Sequence, residues 1–185
     1  MRGDPAKRVI GIDPGTGVCG FGVVERTAEG PNYLAAGTIR TNRGHAMPRR
    51  LMTIHENLLR LIDEHAPDAM SLERSFVATN VQSAFRLGEG RAMAMLAAAE
   101  RNLRLFEYAP AEVKLSVAGW GRAGKDQVKS MVRKSLGLAR LQLADDAADA
   151  LALALCHLTR SRMAQAADAV RRIPAAWRRV GSVAR

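Results

Sequence analysis

Residues 9–25 read VIGIDPGTGVCGFGVVE, and this stretch decides the fold. Val9 to Asp13 is a short apolar run closed by an acid, the pattern of a buried strand. Pro14 to Gly17 is a turn by composition, and Val18 to Glu25 resumes as a second strand returning beside the first. Gly15, Gly17 and Gly20 also match the G-x-G-x-x-G pattern of a dinucleotide loop, but in that loop the glycines open a helix and an acid follows to take a ribose hydroxyl. Here Gly20 to Val24 continues as strand, and no acid lies between Glu29 and Glu56. The glycines are therefore expected to form a tight hairpin that leaves room for a bulky ligand over the end of the first strand, facing Asp13.

Working outward, Glu29 to Asn32 makes a turn and Tyr33 to Thr41 a third strand. Leu51, Ile54, Leu58, Leu61 and Ile62 then repeat at helical spacing within Arg49 to His65, a helix that Pro67 ends. Ala69 to Phe76 is a strand carrying Glu73. The long helix from Val81 to Asn102 has small or apolar residues on more than one face, and its Gly88 and Gly90 suit either a subunit interface or simple core packing. A strand over Leu103 to Tyr108 follows, then helices over Ala111 to Val117 and Asp126 to Leu138. A last helix opens at Asp145 or Asp146 and runs through Leu151, Leu155 and Leu158 to about Ser161. This order predicts an α/β layered domain over residues 1–162 and a basic tail over 163–185.

The chain of 185 residues carries a net charge of +10. Seven arginines stand against one acid, Asp168, between Arg160 and Arg185, and the body remains basic without them. A basic tail fits either contact with nucleic acid or a solvated extension. The sequence has no signal-peptide pattern at its start and no membrane-spanning run. Cys19 and Cys156 lie in apolar contexts without ligand spacing, as reduced core residues of a cytoplasmic protein do.

Against that positive background, four acids fall at expected element ends. Asp13 closes the first strand, where it fits a turn cap as well as a ligand. Glu73 sits in an apolar strand, where an unpaired carboxylate is expensive and Arg74 points the other way. Asp146 and Asp149 share one face of the last helix among alanines, with Asp145 as its candidate N-cap. Concentrated acids in a basic chain call for a bound cation, and four carboxylates from three elements resemble a two-metal site for phosphoryl displacement. Magnesium suits such a set, because it takes a few carboxylates and completes its shell with water and substrate phosphate. His45, His55, His65 and His157 show no spacing shared with the acids.

Gly-Ile-Asp-Pro-Gly at 11–15, Leu-Glu-Arg-Ser-Phe at 72–76 and Asp-Ala-Ala-Asp-Ala-Leu-Ala at 146–152 together resemble the RuvC family in order and spacing. These are crossover junction endodeoxyribonucleases that resolve four-way Holliday junctions, and the resemblance covers roughly residues 8–160. It implies a ribonuclease H-like fold with a mixed five-stranded sheet flanked by helices. It also implies that Asp13, Glu73, Asp146 and Asp149 are catalytic acids holding two Mg²⁺ ions, with Mn²⁺ as a substitute. Phe76 matches the family's base-contacting aromatic, and Lys114 and Lys125 match lysines that hold the DNA backbone. A homodimer nicking two strands symmetrically, and a RuvAB branch-migration partner, are implied in the same way.

Two other readings compete. An actin-like or sugar-kinase-like protein also begins with an Ile-Asp-x-Gly strand turn, but it needs a second lobe that this length does not hold. A non-catalytic basic junction-binding protein would use the same acids structurally.

Overall fold

The computed structural model describes residues 7–74 and 81–172. Three strands come first, β1 (Arg8–Asp13), β2 (Val18–Arg26) and β3 (Pro31–Arg40), followed by α1 (Met47–His65), β4 (Ala69–Glu73), α2 (Val81–Glu100) and β5 (Arg104–Tyr108). Helices α3 (Pro110–Ala118), α4 (Lys125–Ser135) and α5 (Asp145–Arg172) complete the order. The five strands form one mixed sheet in the order β3-β2-β1-β4-β5. β1 runs antiparallel to β2 and parallel to β4, which in turn runs parallel to β5. The expected mixed five-stranded sheet flanked by helices is therefore found.

Strand alternation sorts the core into two layers. Ile10, Ile12, Cys19, Val23, Met70 and Leu72 face α1 and α2, where they meet Ile54, Leu58, Ala94 and Ala97. Burying each large side chain of this set stabilises the fold by about 1.5–3 kcal/mol. Val9, Val24, Ala69 and Tyr108 face the other way, onto α3, α4 and α5. Helix α1 starts with Pro48 in its first turn and ends at Ala66 in the left-handed conformation (φ 42°), immediately before Pro67.

Helix α5 lies on the sheet more closely than side chains would allow. A Cβ added at Gly11 would stand 2.0 Å from the Ala150 carbonyl oxygen, one at Gly20 2.0 Å from that of Asp146, and one at Gly22 2.8 Å from the Leu151 nitrogen. Gly11 is paired with Gly22 and Asp13 with Gly20, so the three glycines form one bare patch across β1 and β2. Ala147, Ala148, Ala150, Ala152 and Ala154 are all buried, so small residues line the helix as well as the sheet. The expectation of open space facing Asp13 holds, but its place is corrected: the α5 backbone fills the space at Gly20, and the opening onto Asp13 lies toward β4 and α3. Gly15 does make the tight turn, where a Cβ would stand 2.3 Å from the Val18 carbonyl oxygen.

One further difference has a local cause. Helix α5 continues through Arg172 instead of stopping near Ser161, because no Gly or Pro interrupts it before Pro174. Gly90 packs against the Gly15 backbone, so its missing side chain serves contact within the chain, while Gly88 meets nothing within 4 Å. Both cysteines are buried and free, as expected. No helix among the described residues is long and apolar enough to cross a membrane.

Gly11→Ala is expected to lower unfolding stability by about 2–3 kcal/mol or more, because its methyl group would overlap helix backbone that has no rotamer with which to yield. Urea denaturation monitored by circular dichroism measures the loss.

Candidate active site

The patch where α5 meets the sheet also sets where the acids fall. Asp13 is the last residue of β1, and Gly20 beside it carries the backbone of Asp146. β4 runs parallel to β1 with Ile12 opposite Leu72, so Asp13 and Glu73 are the next residues at adjacent strand ends. Two residues before Glu73 on the same face, the buried Ser71 hydroxyl donates to the Leu153 carbonyl at 2.9 Å and fixes α5 against β4. One turn into α5, Asp149 faces the same opening.

Asp13, Glu73 and Asp149 line one cavity of about 310 Å³ together with Lys114, Lys125, Pro110 and Val128. Asp146 stands beside it, close enough for its charge to act on Asp13. Burial first, then the charges of Asp149, Asp146 and Glu73, push the Asp13 carboxyl up to about 7, against the pull of Lys125. Burial and Asp149 likewise raise Glu73, opposed by Lys114. The Lys125 ammonium lies 3.0 Å from an Asp149 oxygen, and that hydrogen bond holds its pKa above the usual lysine range.

The sequence-predicted residues thus gather with one correction and one gap. Asp145 is not the N-cap of α5: the amide of Ala148 donates to the Ala144 carbonyl, which places Asp145 inside the first turn, and its carboxylate pairs with Lys129. Phe76 lies outside the described residues. The histidines with identified partners lie elsewhere: His157 is hydrogen-bonded to the Tyr108 hydroxyl at 2.7 Å, His55 is 3.2 Å from Glu100 and His65 is 3.8 Å from Glu64.

The donor set fits a hard divalent cation. It is all carboxylate oxygen, it is partly buried, and its members raise one another's proton affinity, the repulsion that a bound cation would relieve. No three His, Cys, Asp or Glu side chains among the described residues stand in closed ligand geometry, and one Asp149 oxygen is engaged by Lys125.

Several features that shape the site were not read from sequence. The Gly11, Gly20 and Gly22 patch had a visible signal, glycines at alternate strand positions matched by an alanine-rich helix. Ser71 and Arg91 had none, since a serine in a strand and an arginine on a helix are ordinary. Arg91 donates from one guanidinium nitrogen to the Glu73 carbonyl and pairs through the other with Glu107 of β5.

The model of the family described as crossover junction endodeoxyribonuclease RuvC matches residues 9–157. The chain belongs to the RuvC family. It is 41% identical over 155 residues to the crossover junction endodeoxyribonuclease RuvC of Thermotoga petrophila, covering 84% of this chain and 94% of that protein. The Rubrobacter xylanophilus RuvC is 43% identical over 167 residues, covering 90% and 93% of the two chains. Among solved structures, Thermus thermophilus RuvC in complex with a Holliday junction substrate superposes with a TM-score of 0.81 at 33% identity, covering 85% of this chain and 96% of that one.

Because burial and then repulsion from the neighbouring acids make the ionised Asp13 carboxylate oppose folding, Asp13→Asn should be more stable than the parent in metal-free buffer at pH 8. The folded pKa of about 7 lies above the ordinary 3.8, so the penalty is absent below about pH 4, grows between pH 4 and 7, and is complete above. The expected gain at pH 8 is about 1–3 kcal/mol, read from thermal melts with EDTA across that range.

Proposed function

We propose that this member of the RuvC family hydrolyses phosphodiester bonds at four-way DNA junctions, with Asp13, Glu73, Asp146 and Asp149 as metal-holding catalytic acids. The observation that carries this reading is the convergence of three of these acids with Lys114 and Lys125 on one cavity, with Asp146 at its edge. A bound pair of magnesium ions, or manganese in their place, would supply activation of a water and stabilisation of the departing 3′ oxygen, leaving 5′-phosphate and 3′-hydroxyl ends. Asp13, central among the acids, would serve both ions. Lys114 beside Glu73 and Lys125 beside Asp149 would hold the scissile phosphate and offset its charge. A cation held by Asp149, or a phosphate competing for the Lys125 ammonium, would free Lys125 to contact the DNA backbone. Phe76, three residues beyond Glu73, would stack on an unpaired base near the junction centre.

Two copies acting together would nick two strands symmetrically. The outward face of α2 supports a homodimer: Phe85, Gly88, Ala92, Met95, Leu96 and Ala99 are exposed at helical spacing, with Phe85 71% exposed. The T. thermophilus complex with its junction substrate supports the choice of DNA. The basic residues 163–185, read as a tail, would add backbone contacts. A role in recombination and repair, cooperation with a RuvAB motor and a cytoplasmic location follow from the family reading.

The decisive assay compares a synthetic four-way junction with a matched linear duplex, with and without magnesium. The parent should nick only the junction, symmetrically and only with metal. Asp13→Asn should bind the junction within about twofold of the parent and show no cutting. Junction binding that survives EDTA, with cutting never seen, would leave the alternative of a non-catalytic junction-binding protein. Phe76→Ala should slow cutting at saturating protein more than it weakens binding; equal rates would remove its stacking role.

A further inference from the structure

Arg91 touches the machinery without belonging to it. It sits on the buried side of α2, and its guanidinium spans the ends of two strands, donating to the Glu73 carbonyl and pairing with the Glu107 carboxylate. Its side chain is 15% exposed, and burial draws its pKa below the usual arginine value, so the charge is held in place by its partners and not by water. The residue before it, Gly90, rests against Gly15 in the turn that follows Asp13. One turn of α2 therefore contacts the chain at both strand ends that carry catalytic acids.

Glu73 needs such support. β4 ends at this residue, and the next amide, that of Arg74, donates to the Tyr108 carbonyl at 2.8 Å as the final tie to β5. The Glu73 side chain points to the α5 face, where burial and then the charge of Asp149 raise its proton affinity. A carbonyl anchored on the opposite face sets the direction in which that carboxylate leaves the strand. A guanidinium suits this task because its planar fork engages two acceptors at once, which an ammonium on a flexible stem does not reproduce.

We infer that Arg91, held by Glu107, is a positioning residue that fixes the Glu73 backbone so that its carboxylate meets those of Asp13 and Asp149. The inference rests on the nuclease reading and adds to it a dependence of the site on α2, the helix whose other face is the proposed dimer surface. Substitution should leave DNA affinity alone and change how readily the acids close on a cation.

The test uses the full-length chain and the variants Arg91→Lys, Arg91→Ala and Glu107→Gln on a four-way junction, titrated with magnesium at saturating protein. Arg91→Ala should cut about 10- to 100-fold more slowly and need several-fold more magnesium for half-maximal rate, with junction affinity in EDTA within twofold of the parent. Arg91→Lys, which keeps the charge and loses the fork, and Glu107→Gln should each fall between parent and Arg91→Ala. Independently of cutting, the rise in melting temperature produced by magnesium alone should be smaller in Arg91→Ala than in the parent. Parental rates and magnesium dependence in Arg91→Ala would overturn the inference. So would a loss confined to melting temperature, with full cutting restored at lower temperature, since that describes packing alone. If Arg91→Ala fails to fold, the magnesium dependence of Glu107→Gln decides in the same terms. A parent that never cuts would instead defeat the nuclease reading, so the two failures are distinguishable.

Discussion

The contact on which the rest depends is backbone against backbone, between the first turns of α5 and the glycine patch of β1 and β2. Helices normally stand about 10 Å from a sheet because side chains fill the gap, and here Gly11, Gly20 and Gly22 take that filling away. The Ala150 carbonyl and the Asp146 backbone occupy space that any other residue would claim. The price is rigidity in sequence, since each glycine gives up the option of a side chain. In exchange, two acids of α5 arrive beside a strand end that already carries a third.

This packing sets up an electrostatic conflict that the fold leaves partly unresolved. Asp13 is buried among negative neighbours, and Lys125 and Lys114 offset only part of the repulsion. A stable protein with no use for these groups would replace one or two with asparagine or serine. Local strain against global stability is the pattern expected where charge is arranged for a ligand. The surrounding structure bears it through two well-packed apolar layers, in which Ile10, Ile12, Leu58, Met70 and Leu72 are fully buried on one side and Leu151 anchors the other.

Much of this was legible in the chain. The run from Val9 to Asp13, the glycine-rich turn and the return strand gave the hairpin, and the helical repeat from Leu51 to Ile62 gave α1 with its proline stop. The four acids were legible as a set because each interrupts a pattern: Glu73 an apolar strand, Asp146 and Asp149 an alanine-rich helix. The purpose of the glycines was not, because glycine in a strand signals close approach without saying what approaches. Gly90 suited either a subunit interface or packing within the chain for the same reason, and it is the second, seating the Gly15 turn. Asp145 was misread as a cap because the capping preference of aspartate is local, whereas its Lys129 partner lies on another helix. Arg91 was invisible, since its acceptors come from two strands separated from it in sequence.

The two faces of the sheet thereby divide the work. On one, α5 delivers acids and α3 and α4 deliver Lys114 and Lys125; on the other, α2 braces the strand ends and turns an apolar stripe outward. The central claim is that three separated segments hold a divalent cation at one point. Manganese-soaked crystals examined by anomalous scattering test it most directly. Peaks within coordinating distance of Asp13 and of at least one of Glu73, Asp146 and Asp149 are the result this account predicts. Manganese bound only at sites remote from all four carboxylates, at concentrations that saturate the protein, would contradict it.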